Sequence, residues 1–239
     1  MWLIRRVSSD LALVTQVLLD MEGQAKEAIK DSSASIGIKE GNGGLMQAIL
    51  SSNLPQGEKG SKRMAQEGFT VLTASGDTIG RTLTTAVYHL LSNPNHLAKL
   101  KEELRAAMPD SNMDVPLSKL ENLPWTTPIG MTFADLMMDS KVFPDPRMFD
   151  PERWLGSHPL YAQNTKCFFP FGRGHRNCIG LNLAWAEMYV ALAKVLRRFD
   201  LELYDVIRER DIDHYRDCFL GEPRDDTKGV RVKILRLLD

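Results

Sequence analysis

Cysteine is scarce in this sequence: Cys167, Cys178 and Cys218 are the three thiols in 239 residues. None forms a CxxC pair, and an odd count leaves one thiol over under any disulfide scheme, which fits a reducing compartment better than a disulfide scaffold. The five histidines show no HExxH and no paired spacing with the cysteines, which argues against a structural zinc site. No run reaches the roughly 18 to 20 apolar residues of a membrane-spanning helix. The opening Met1-Trp2-Leu3-Ile4-Arg5-Arg6 puts its charges after its apolar residues, the reverse of a signal peptide, so no membrane anchor is expected. An excess of one charge is also missing. Thirty Lys and Arg against 31 Asp and Glu leave a formal net charge of −1 and no electrostatic footprint for nucleic acid.

What is present is globular chain, 43% hydrophobic and 26% charged, long enough to bury a core as one or two domains. Helical spacing dominates. Leu11 to Lys30 alternates apolar and polar residues at that period, a Ser- and Gly-rich loop follows through Gly44, and Leu45 to Leu54 reads as a short helix closed by Pro55. Ser61 to Leu91 predicts a long helix whose middle, Thr73-Ala74-Ser75-Gly76-Asp77-Thr78, places small, hydroxyl and acidic residues where a buried helix wants large apolar ones. A polar kink is expected there. Pro94 opens another helix with Leu97, Leu100 and Leu104 on one face, and Leu117 to Leu123 forms a short amphipathic segment. Near the end, Phe199 to Leu203 and Gly229 to Ile234 alternate like strands and are expected to pair as a terminal ribbon.

The most informative stretch is Phe168-Phe169-Pro170-Phe171-Gly172-Arg173-Gly174-His175-Arg176-Asn177-Cys178-Ile179-Gly180, running into a segment with helical spacing. Gly172 and Gly174 permit left-handed backbone and leave no side chain in the way of a flat ligand. Cys178 lies just before a helix start, where unpaired N–H groups and the helix dipole favour a negatively charged sulfur. Arg176 suits a forked contact with a carboxylate. A single sulfur ligand with a neighbouring cation fits an axial metal ligand, and Asn177 stands where a dinucleotide-binding GxGxxG loop needs its last glycine.

These residues resemble the haem-binding signature of the cytochromes P450, FGxGxRxCxG followed by xLAxxE. Phe171, Gly172, Gly174, Arg176, Cys178, Gly180, Leu183, Ala184 and Glu187 match it at every fixed position. The resemblance implies a mainly α cytochrome P450 fold, C-terminal part only, with a small terminal β-ribbon. It implies haem b as cofactor, Cys178 as the iron's thiolate ligand, favouring O–O cleavage, Arg176 on a haem propionate, and Phe171, Gly172, Gly174 and Gly180 shaping the cofactor loop. Ala74, Gly76, Asp77 and Thr78 resemble the family's (A/G)Gx(D/E)T motif, with Ser75 replacing the usual second glycine, which implies that Asp77 and Thr78 relay protons during oxygen activation.

Phe149-Asp150-Pro151-Glu152-Arg153-Trp154 resembles the family's PER(F/W) motif, whose arginine normally completes a triad with an ExxR helix. Here Pro124-Trp125 runs directly into Thr126-Thr127-Pro128, so that helix and its following strands are missing, as by an internal deletion near Trp125/Thr126. Glu102 and Arg105 spell ExxR but come too early, and read as an exposed pair. Arg153 is therefore expected either to turn to solvent or to sit in a loose core. Met131 to Met138 resembles the next helix. The whole reads as one partial domain, with residues 1–125 carrying the helices around the oxygen-side helix and 126–239 the thiolate loop, its following helix and the terminal strands.

The turn and terminal segments look most like fungal secondary-metabolism P450s of the trichodiene oxygenase kind. The implied reaction is monooxygenation of a small apolar substrate with electrons from NADPH-cytochrome P450 reductase, in an intracellular protein whose full-length relatives sit at the endoplasmic reticulum membrane. The alternative is a truncated, non-catalytic fragment that binds haem weakly or not at all.

Overall fold

The structure is a computed structural model that describes residues 9–34, 44–123, 138–218 and 220–238. The junction at Trp125/Thr126 and all but the last residue of the expected helix from Met131 to Met138 lie outside the described residues. Two compact units divide the chain, Met1–Asp77 and Thr78–Asp239.

In the first unit, helix α1 (Ser9–Ala34) packs on the short α2 (Leu45–Ser51), and both meet the first half of α3 (Ser61–Ser92). Ala12, Ala25, Met64 and Ala65 are buried. Gly68 marks the closest approach: a Cβ there would lie 2.7 Å from Met21 Sδ and 3.1 Å from Met46 Cε, so the helices approach over bare backbone.

Helix α3 is α-helical from Ser61 to Ser92 without a break, so the expected polar kink does not interrupt it. One glycine in a helix interior costs about 1 kcal/mol relative to alanine, too little to interrupt a 32-residue helix. The Thr73 and Ser75 hydroxyls stay bonded within it, Thr73 Oγ1 donating to the Phe69 carbonyl at 2.9 Å and Ser75 Oγ to that of Val71 at 2.9 Å. Gly76, Asp77 and Thr78 are exposed, where small and polar residues leave no apolar face unfilled.

In the second unit a single residue, Asn93, separates α3 from α4 (Pro94–Ala107). Proline lacks the N–H that would continue α3 and is well placed at the first turn of α4. Asn93 Nδ2 donates to the His89 carbonyl at 2.7 Å, closing the last turn of α3. Leu90 of α3, Leu100, Leu104 and Ala107 of α4, Leu120 of α5 (Leu117–Glu121), and Ala193 and Leu196 of α7 (Leu181–Arg198) form the main core. Arg197 is buried among these elements. Its Nε donates to the Met108 carbonyl at 2.7 Å and its Nη2 to that of Pro109 at 2.5 Å, so a cation at the end of α7 closes the C-terminus of α4.

After α7 comes β1 (Phe199–Leu203), then the one-turn α8 (Arg208–Asp211), a small hairpin of β2 (Arg216–Cys218) and β3 (Leu220–Glu222), and β4 (Val232–Leu237). β1 and β4 pair antiparallel as expected, Leu201 opposite Ile234 and Leu203 opposite Val232, with β4 starting later than the alternation indicated. The β2–β3 hairpin was not expected, since strands of three residues are too short to show a period. Lys101 of α4 pairs with Asp200 of β1 at 3.1 Å, tying the ribbon to the helical core.

Candidate functional site

The cysteine loop is anchored at both ends. Upstream, helix α6 (Tyr161–Cys167) packs on the 3-10 turn Pro151–Trp154. Asn164, 1% exposed, donates its Nδ2 to the Arg153 carbonyl at 3.0 Å, and the Trp154 ring lies 4.5 Å from that of Phe168. Arg153 does not turn to solvent. It is buried, its Nε donates to the Asp150 carbonyl at 3.2 Å, and its guanidinium lies 3.7 Å from the Asp150 carboxylate. A carboxylate three residues earlier thus supplies locally part of what a distant partner would have supplied. Glu102 and Arg105 are both exposed on α4, as read from the sequence.

The loop itself closes through three backbone hydrogen bonds: Gly172 N–H to Phe169 O at 2.9 Å, Asn177 N–H to Gly174 O at 3.2 Å, and Cys178 N–H to Phe171 O at 2.8 Å. The turn needs left-handed backbone at two places, and glycine occupies both, Gly172 at φ +76° and Gly174 at φ +82°. Gly180 then caps α7, its carbonyl accepting from Ala184 N–H at 2.8 Å. Cys178 is a free, exposed thiol two residues before the capping Gly180.

Phe171 holds the loop against the helices. Its ring meets that of Trp185 edge-on at 5.0 Å, and both pack on a small cluster of Ile79, Ala184 and Met188. Ile79 directly follows Thr78, so the second half of α3 lies against the loop and α7 through this cluster. Asp77 and Thr78 are exposed on α3, Asp77 closing the first unit and Thr78 opening the second. Arg176 and Glu187 are exposed as well. The sequence reading gave no role to Trp185 or Asn164. Trp185 could have been found from helical spacing, whereas the contact of Asn164 with Arg153 crosses between elements and leaves no local pattern.

The donor set decides what this loop can hold. Among the described residues no three of His, Cys, Asp and Glu gather as a metal-binding group. One thiol is a poor cage for a bare ion but a sufficient axial ligand for an iron whose other donors come from a macrocycle. The surroundings agree: a Cβ on Gly174 would meet nothing within 4 Å, and Ile179, next to Cys178 in the chain, and Leu183, in the first turn of α7, are exposed apolar side chains that could face a flat apolar ring. The residues present fit a haem.

Comparison with known proteins gives the same reading. The family model described as Cytochrome P450 matches residues 4–129 and 127–228. The chain belongs to the cytochrome P450 family. It is 36% identical over 228 residues to "Tryptophan 6-hydroxylase fscE" of Fusarium equiseti, covering 80% of this chain and 44% of that protein. To "Cytochrome P450 monooxygenase sdnE" of Sordaria araneosa it is 33% identical, over 94% of this chain and 50% of that protein. To "Cytochrome P450 monooxygenase TRI4" of Fusarium sporotrichioides it is 29% identical, over 92% and 51%. The fungal resemblance is thereby borne out. A crystal structure of a cytochrome P450, CYP102L1, superposes with a TM-score of 0.60 at 18% identity, covering 77% of this chain and 50% of that one, and supports the mainly helical fold.

The chain spans about half the length of the curated relatives it matches. The sdnE match runs 267 residues against 94% of 239 here, about 225, so roughly 40 residues have no counterpart in this chain. The two stretches matched by the family model meet at residues 127–129, beside the discontinuity read at Trp125/Thr126. Among the described residues no helix is long and apolar enough to cross a membrane.

Proposed function

We propose that this chain carries the haem-thiolate half of a fungal monooxygenase of secondary metabolism. In the reaction one atom of O₂ enters a C–H bond of a small apolar substrate, and the other leaves as water with two electrons and two protons. The electrons come from NADPH through a cytochrome P450 reductase. The observation that carries this reading is the loop holding a lone exposed thiol, Cys178, just before α7, with its N–H tied to Phe171 O. Haem b, when bound, supplies the redox chemistry and the oxygen activation. With haem bound, Cys178 would ligate the iron and the exposed Arg176 would meet a propionate, while Phe171 holds the loop against Trp185 and Asp77 with Thr78 would hold and pass protons. Two relatives are named for hydroxylation at position 6 of tryptophan and of N-acetyltryptophan, at 36% and 31% identity, which makes small aromatic compounds the first substrates to try.

The test is the absorption spectrum of the reduced, CO-bound chain expressed with a haem precursor, beside Cys178→Ala. A Soret band at the position of thiolate ligation that disappears in the variant is the expected result. Absence of haem uptake, or a spectrum indifferent to Cys178, overturns the reading and favours the second one, a chain that keeps the family fold without catalysis. That second reading rests on the roughly 40 residues without counterpart here.

A further inference from the structure

Arg173 lies between the two left-handed glycines, at a position the family signature leaves open, and its side chain turns back along the loop. Nη2 donates to the Lys166 carbonyl at 2.6 Å, and the guanidinium carbon sits 4.7 Å from the centroid of the Phe169 ring. Lys166 is in the last turn of α6, where backbone carbonyls have no donor within the helix and the dipole favours a cation. Phe169 is also the residue whose carbonyl accepts from Gly172 N–H. One side chain therefore links the end of α6, the ring of Phe169 and the first glycine turn. Arg176, three residues on, makes no hydrogen bond or ion pair among the described residues and stays open to a ligand.

We propose that Arg173 is the positioning residue of the cysteine loop: by closing α6 at Lys166 and lying over Phe169 it sets the turn that presents Cys178, while Arg176 is left for the cofactor. The physical case is economy of freedom. Left-handed glycines make the turn possible but hold nothing, because glycine's backbone has the most conformations to lose. The guanidinium acts at two points of the segment at once, a charge-assisted hydrogen bond and a contact between cation and ring. Lysine can supply the first in part but lacks the planar group for the second.

The proposal rests on the haem-thiolate reading for one of its two measurements, and the other needs no haem. In the haem-free full chain, hydrogen exchange at the Gly172 and Cys178 amides reads loop closure directly. Arg173→Gln should speed exchange at both about three- to tenfold, the effect of losing one modest interaction, with the amides of α7 and β1 unchanged and Arg173→Lys falling between. Arg176→Gln should leave both amides at the wild-type rate. With haem bound, Arg173→Gln should lower the thiolate-ligated fraction of the CO spectrum severalfold, and Arg173→Lys should restore part of it. Wild-type exchange at Gly172 and Cys178 in Arg173→Gln overturns the proposal, as does equal acceleration in Arg176→Gln. A wild-type chain that takes up no haem overturns the haem reading and leaves the exchange comparison to decide Arg173.

Discussion

Single side chains in this protein are set by what lies within a few ångströms, and His89 shows it outside the cysteine loop. Its ring stacks on Phe149 at 4.9 Å and 7°, and meets Tyr88 edge-on at 5.2 Å. Burial first, then the nearby Arg208 charge, lower its pKa from 6.5 to about 4, against a smaller opposing effect of Asp213. Between those two values the unfolded chain binds a proton that the folded chain does not, so stability rises as pH rises from about 4 to 6.5. Allowing for solvent screening of a partly exposed ring, the gain is about 1–2 kcal/mol. His89→Phe keeps the stack and removes the titration. Urea midpoints followed by circular dichroism should show a shallower rise over that window in the variant, and an unchanged slope would assign the pH dependence elsewhere. The same locality explains Arg153, which reaches Asp150 three residues away and stays buried.

Elements are joined at a few defined points. Arg197 carries one of them: two hydrogen bonds from a buried guanidinium to the carbonyls just beyond α4 hold the end of α7 against that helix. Arg197→Met keeps the apolar stem but leaves those carbonyls without their donors, and should cost about 2–3 kcal/mol in chemical unfolding. Arg197→Lys should recover part of it. Leu196, 0% exposed in the same helix, has a different role. Leu196→Ala removes methyl groups from the middle of the main core and should cost about 3–5 kcal/mol, whereas Leu183→Ala, at a 51% exposed position, should cost little. Similar losses at the two leucines would mean that α7 does not bury the face described here. For α3, the sequence reading expected a polar kink and the structure keeps a continuous helix, because the cost of one interior glycine is small beside the hydrogen bonds of 32 helical residues.

Over the whole molecule, the roughly 40 residues of sdnE without counterpart here bear on how firmly the second unit is held. The β1–β4 ribbon has two strands with β4 exposed along its length, and an isolated pair of strands is marginal in water. We expect that inserting the corresponding block of sdnE between Trp125 and Thr126 slows haem loss severalfold, measured as transfer to an apo-globin, and sharpens thermal unfolding. Equal rates with and without the block would show that the cysteine loop, α6 and α7 retain the cofactor on their own. The comparison also bears on Arg153, whose local pairing with Asp150 is expected to give way to partners in the inserted block.

The sequence by itself determined the long helices, the terminal strands and the cysteine loop, because each is written in local pattern: helical period, proline at a helix start, glycines at fixed places before Cys178. Motifs of this kind are read within about one or two helical turns, and the kink expected in α3 is where such a local reading failed. Only the tertiary structure decided how Arg153 is satisfied, that Asn164 holds α6 to the Pro151–Trp154 turn, that Arg197 closes α4 from 88 residues away, and that Arg173 turns back to Lys166. Each depends on the direction a side chain takes once neighbouring elements have packed. That direction follows from which carbonyls are left without donors at the ends of elements, and these are known only when the elements have met.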